Sequence, residues 1–265
     1  MIKPIQSFVR DIPLLLYRLL NTHIQDGYFP SKVLVIVAHP DDPEYYFAGT
    51  IAGWVQGGSL VRYIVSTSGQ IGIRNRSLSK DDIAAIRERE QIAAAEVIGV
   101  KQVVFLHHQD GLLENSLELR HQLVREIRYF RPEVVMINDP NILYGDNFIN
   151  HPDHRVAATA GLDAVFPLAG MPLLFSELEE EGIRPHQARK LYIQTWQRPN
   201  TWINITKTID LKIAAIKKHT SQMGEKDPSE EIRASAAKSA KYTGIKYSET
   251  FRVIELISDD SWNNS

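Results

Sequence analysis

Residues 33–37, Val-Leu-Val-Ile-Val, run without interruption into Ala38, His39, Pro40, Asp41 and Asp42. Five apolar residues, four of them β-branched, predict a strand buried on both faces of a parallel sheet. Open α/β sheets take their ligands just past the carboxyl ends of such strands, which is where this run delivers its polar side chains. His39 and Asp42 suit a borderline metal such as zinc, and Asp41 between them is left free to act as a base. One imidazole and one carboxylate do not complete a site. The remaining donor is expected from His151-Pro-Asp-His154, where a helix beginning at Pro152 holds His151 and His154 on neighbouring sides of one turn.

Composition narrows the chemistry further. The chain has no cysteine, which removes disulfides, thiolate metal sites and cysteine nucleophiles together. Histidine and carboxylate are then the only strong ligands left. A formal net charge of −2 provides no basic field for nucleic acid. No apolar run reaches the roughly 18 residues that a bilayer span needs, and no secretory cleavage site follows the amino terminus. The expected location is cytoplasmic.

Along the chain, residues 1–30 predict an amphipathic helical extension, with Ile5, Phe8, Val9, Ile12, Leu15, Leu16, Leu19 and Leu20 at helical spacing. It would pack on the domain or on a partner subunit, with a membrane-surface anchor as the alternative. Residues 31–258 are expected to form a single α/β domain, and 259–265 a loose tail. Helices are predicted over 45–56, from a cap at Asp81 or Asp82 to Ile98, over 117–130, 155–166, 206–222 and 229–241. Strands are predicted over 61–65, 103–106, 134–137, 191–196, 201–205 and 249–257. The segment 166–189 reads as irregular. The polar loop after residue 65 carries Arg74 and Arg76, which could reach a substrate oxygen or phosphate, and Asp110-Gly111 is a turn at the same face. His107 and His108 alternate along a strand and cannot converge on one ion. His219 is expected to be a surface or packing residue.

Ala38-His-Pro-Asp-Asp-Pro-Glu44 followed by Ala48-Gly-Thr50, and then His151-Pro-Asp-His154, resembles the two signatures of the LmbE-like, or PIG-L-type, zinc N-deacetylases. Ser68-Gly-Gln-Ile-Gly-Ile-Arg74, Ile86-Arg-Glu-Arg-Glu90, Gly99-Val100, Asp110-Gly111 and Arg131-Pro132 fall between them in the family's order. Lys217, His219, Ser221 and Gln222 resemble a late helical segment. The resemblance implies a Rossmann-like three-layer fold, with a mainly parallel sheet and helices on both faces. It further implies one zinc ion per chain, held by His39, Asp42 and His154. Asp41 matches the general base, His151 the group that stabilises the oxyanion in its protonated form, and Asp153 the residue that orients His151. Arg74 and Asp110 match substrate-contacting positions. Gln70 and Tyr45-Tyr-Phe47 depart from the usual pattern and bear on the substrate rather than on the reaction. The three aromatics fit a buried helix face, with stacking on a sugar as the alternative.

The expected activity is removal of an acetyl group from an N-acetylglucosamine-type amino sugar or conjugate. The expected partner is that small molecule; a homo-oligomer is left open, the sequence being silent on oligomer size. Two rivals stand beside this reading. One is a related metallohydrolase acting on a non-sugar amide or ester. The other is a non-catalytic Rossmann-like binding module, disfavoured because HPDDPE is not a glycine-rich phosphate turn.

Overall fold

The computed structural model describes residues 23–73, 77–241 and 243–263. Residues 1–22 of the helical extension expected over 1–30, and the expected substrate residues Arg74 and Arg76, lie outside the described residues. The chain opens with β1 (His23–Gln25) and β2 (Lys32–Val37), followed by α1 (Asp42–Tyr46) and α2 (Ala48–Gln56). Next come β3 (Leu60–Thr67), α3 (Lys80–Val97), β4 (Gln102–His108), α4 (Leu117–Phe130) and β5 (Val134–Asn138). A small hairpin, β6 (Tyr144–Gly145) and β7 (Phe148–Ile149), leads into α5 (Pro152–Val165). Beyond a short α6 (Glu177–Glu180) lie β8 (Lys190–Gln194), β9 (Thr201–Asn204), α7 (Ile209–Ile216) and α8 (Thr220–Met223). The chain closes with α9 (Ser229–Ser239), β10 (Ser248–Glu255) and α10 (Asp259–Asn263).

The main sheet runs β1-β9-β10-β8-β5-β2-β3-β4. β2 pairs parallel with β3 and β5, β3 with β4, and β5 with β8, while β10 is antiparallel to both its neighbours. Side chains alternate across β2: Leu34 and Ile36 enter the core under α4 and α5, and Val33, Val35 and Val37 enter the core under α2 and α3. Both faces are therefore covered, which is why the strand is apolar throughout. The result is the three-layer α/β fold expected.

Strand order reverses between β2 and β5. The crevice opened there lies past the carboxyl ends of both strands, and it receives the HPDD turn on one side and the amino terminus of α5 on the other.

Several elements differ from expectation for local reasons. Ser79, not Asp81 or Asp82, caps α3: its Oγ accepts from the Asp82 N–H, and Asp82 accepts in return from the Ser79 N–H. The helix expected over 206–222 breaks, because His219 leaves helical geometry at φ −80°, ψ 59°. The helix expected over 45–56 is interrupted at Phe47. Residues 23–25, at the end of the expected extension, pair with β9, and residues 259–263 form α10 where a loose tail was expected.

Candidate metal centre

β2 ends at Val37, and the chain turns sharply through Asp41, whose φ of +95° is unusual for a residue with a side chain. Such a conformation costs on the order of 1–3 kcal/mol and persists only where surrounding contacts impose it. Here α3 imposes it. Gln91 Oε1 accepts from the Asp41 N–H at 2.9 Å, and Arg87 donates to the Pro40 carbonyl at 2.7 Å and to the Gly69 carbonyl at 3.0 Å. Arg87, which falls within the Ile86-Arg-Glu-Arg-Glu90 run, and Gln91 are four residues apart and share a helix face. Behind them Gln91 donates to Glu44, and His219 Nε2 lies 3.0 Å from Glu44 Oε2, with both ends of that last pair fully buried. His219 is thus the buried packing residue of the two expected alternatives, held by Glu44 rather than exposed at the surface.

Past the turn, Asp42 is fixed by backbone donors: its Oδ2 accepts from the N–H groups of Ala38 and His39 at 3.2 and 2.9 Å. Its Oδ1 stands 3.1 Å from His154 Nε2, which in turn stands 3.1 Å from His39 Nδ1. The far nitrogen of His39 is surrounded by carboxylates, with Asp110 Oδ1 at 3.1 Å and Asp153 Oδ2 at 3.3 Å. His39 Nε2 therefore carries its proton, and Nδ1 turns a lone pair towards His154 and Asp42.

These donors fit a metal ion. His39, Asp42 and His154 offer one atom each, all within 4.8 Å of one another. A second triplet, His39, His151 and Asp153, meets the same criterion. Its lone pairs are engaged, however. Asp153 accepts from the N–H groups of Gly111 and Leu113, and His151 Nδ1 accepts from the Asp153 N–H at 3.2 Å. The first triplet is the better cradle, and it matches the expected ligands.

Electrostatics agree. Burial opposes a charge on His39, but its hydrogen bonds to Asp110 and Asp153 prevail and raise the imidazole to about 10. Burial likewise opposes ionisation of Asp42, yet His154 and His39 hold its carboxyl well below the ordinary range. The carboxylates thus favour positive charge at this point, and a divalent ion would displace the proton that otherwise supplies it. Burial, then the Asp42 charge, push the Asp41 carboxyl up to about 6 against the pull of Arg87. A bound cation would lower it again.

Three expected roles change in detail. The Asp153 carboxylate meets His39, while its contact with His151 is through the backbone. Asp110, buried and accepting from the Ile71 N–H at 3.0 Å, also braces His39. His151 Nδ1 accepts from the Asp153 N–H, which leaves Nε2 as the free ring nitrogen, and burial and the neighbouring His39 hold the ring below the usual histidine range, which disfavours the cationic form expected. His39, Asp41, Asp42, Asp110, His151 and His154 all line one open cleft of about 520 Å³.

Fold and site together define a protein of three-layer α/β architecture with a His–Asp–His group able to hold a metal. Residues 34–165 match the PIG-L family, described as GlcNAc-PI de-N-acetylase. Diacetylchitobiose deacetylase of Thermococcus kodakarensis is 32% identical over 229 residues, covering 84% of this chain and 83% of that protein. A 1D-myo-inositol 2-acetamido-2-deoxy-alpha-D-glucopyranoside deacetylase of a Mycobacterium species is 28% identical over 234 residues, covering 72% and 74%. The solved structure of N,N'-diacetylchitobiose deacetylase from Pyrococcus horikoshii, complexed with its inhibitor MPG, matches with a TM-score of 0.82 at 28% identity, covering 96% and 94%. The chain belongs to the PIG-L (LmbE-like) family of N-deacetylases.

Proposed function

We propose that this protein is a zinc-dependent hydrolase that removes the acetyl group from an N-acetylglucosamine-type amino sugar or conjugate. The observation that carries the reading is the convergence of His39, Asp42 and His154 beside the unliganded Asp41 in one cleft. Zinc bound there would polarise the amide carbonyl and bring the pKa of water towards ~7.

The chain's own residues supply the rest. Asp41, held in a fixed pose by Gln91 and Arg87, accepts the proton of the attacking water and returns it to the departing amine. His151, with its Nδ1 engaged by backbone, offers Nε2–H to the oxygen on which negative charge develops, an interaction worth on the order of 3 kcal/mol. Asp110 and Asp153 keep His39 in the tautomer that presents Nδ1. Arg74 is proposed as a substrate contact on the resemblance alone. Among the described residues no helix is long and apolar enough to cross a membrane.

The test is acetate release from a panel of N-acetylated sugars, non-sugar amides and esters by the zinc-loaded protein. Release confined to the amino sugars supports the reading. Turnover of the other amides or esters alone would favour the broader metallohydrolase, and no turnover together with no bound metal would favour a binding module.

A further inference from the structure

We infer that His219 is a positioning residue: through Glu44 and Gln91 it holds the backbone of Asp41, and with it the carboxylate that handles protons. This inference rests on the hydrolase reading above, in which Asp41 is the base.

Asp41 sits at φ +95° with its backbone engaged in both directions. Its carbonyl accepts from the N–H groups of Glu44 and Tyr45 at 3.1 Å and so starts α1, while its N–H reaches across to Gln91 Oε1 at 2.9 Å. A backbone in this region persists only where its surroundings hold it. The contact with Gln91 depends on which way round the amide lies. Turned over, it would set its NH₂ group against the Asp41 N–H, donor against donor. Glu44 decides the orientation. Its Oε1 and Oε2 each accept from Gln91 Nε2 at 3.1 Å, and a carboxylate only accepts, so the amide keeps its oxygen towards Asp41.

His219 fixes Glu44 in turn. The two lie 175 residues apart in the chain, both are fully buried, and His219 Nε2 faces Glu44 Oε2 at 3.0 Å. The imidazole serves direction rather than stability. Its Nδ1 is buried with no hydrogen-bond partner among the described residues, a cost that an apolar side chain of similar size would not carry. Its backbone is placed as well. His219 leaves helical geometry at the head of α8, and Glu90 on α3 accepts from Thr220 and Ser221 just beyond it. Glu90 and Gln91 are consecutive on α3, so one helix carries both the anchor of the late segment and the amide that reaches Asp41. Gln222, three residues past His219, lines the same cleft as Asp41.

The experiment compares His219→Leu, which removes the donor, with His219→Gln, whose amide nitrogen can stand where Nε2 stands. Two readouts are taken on the full chain loaded with zinc: kinetics of acetate release from N,N'-diacetylchitobiose, and hydrogen exchange of the Asp41 N–H. His219→Leu is expected to lower kcat by about 10–100-fold, with KM and zinc content held within about twofold. Its Asp41 N–H should exchange about tenfold faster, the equivalent of one lost hydrogen bond, while the amides of β2 and β5 exchange as in wild type. His219→Gln should restore most of both. Should the leucine variant not fold, His219→Asn, whose shorter amide stops short of Glu44, is set against His219→Gln in the same two measurements. Unchanged exchange at Asp41, an unchanged kcat in an active enzyme, or equal losses in the two variants overturns the inference. Faster exchange at Asp41 that glutamine restores, in a protein that turns over no amide, sustains the positioning role, and the hydrolase reading then fails alone.

Discussion

His39 Nδ1 and His154 Nε2, 115 residues apart in the chain, face each other across 3.1 Å with Asp42 Oδ1 at the same distance from His154. Two imidazole nitrogens at that separation need a proton or a cation between them, and the second carboxylate oxygen of Asp42 is already taken by two backbone donors. The purified protein is therefore expected to carry about one zinc per chain. His154→Ala should remove most of that metal, along with at least ~10³-fold of the activity and the thermal stabilisation that zinc gives the wild type. Elemental analysis with melting curves checks this, and full metal occupancy in the variant would reject His154 as a ligand.

Asp41 is adjacent to a ligand, yet its carboxylate is engaged by Arg87 at 3.4 Å rather than by the histidines. Asp41→Asn is therefore expected to keep the metal while lowering kcat by roughly 10²–10⁴-fold, the range associated with a positioned acid or base. KM should move little. Loss of zinc together with activity would place Asp41 among the ligands instead.

Much of this architecture is legible in the amino-acid order, and the reason differs by region. β2 and the HPDD turn are written locally: an apolar run fixes the strand and the residues behind it fall at its end. His151 and His154 are likewise local to one helix start. What pattern does not give is the pairing across distance. Whether Asp153 turns its carboxylate to His151 or to His39 depends on where the Gly111 and Leu113 N–H groups lie, some forty residues away in the chain. The break before α8 has the same origin. Glu90 on α3 accepts from Thr220 and Ser221 at the start of α8, and Glu44 draws in His219, so tertiary contacts override a segment with good helical pattern.

The placement of Asp153 gives a prediction that separates its two roles. If the carboxylate braces His39, Asp153→Asn should weaken zinc affinity by about 10–100-fold, the usual cost of losing a carboxylate behind a ligand histidine. If it chiefly served His151, kcat would fall at unchanged metal affinity. Competition with a chelator of known zinc affinity measures the first quantity, and kinetics at saturating zinc measure the second.

His186 supplies a stability prediction remote from the metal. It is buried, donates Nε2–H to the Pro132 carbonyl at 2.8 Å, and packs edge-on against Trp262. Burial lowers it from 6.5 to about 4, the carbonyl opposing only in part. The folded state thus holds His186 neutral where the unfolded chain would protonate it. The stabilisation is complete above pH 6.5 and is lost as pH falls towards about 4, where the folded state also takes up the proton. The full difference corresponds to about 3 kcal/mol. Urea denaturation of wild type and His186→Gln at pH 7.5 and at pH 4.5 isolates this contribution from the carboxylates, which titrate in both proteins. Wild type should lose about 2–3 kcal/mol more than the variant over that interval. Parallel losses would mean that the imidazole is protonated, or free to reach water, in the folded protein.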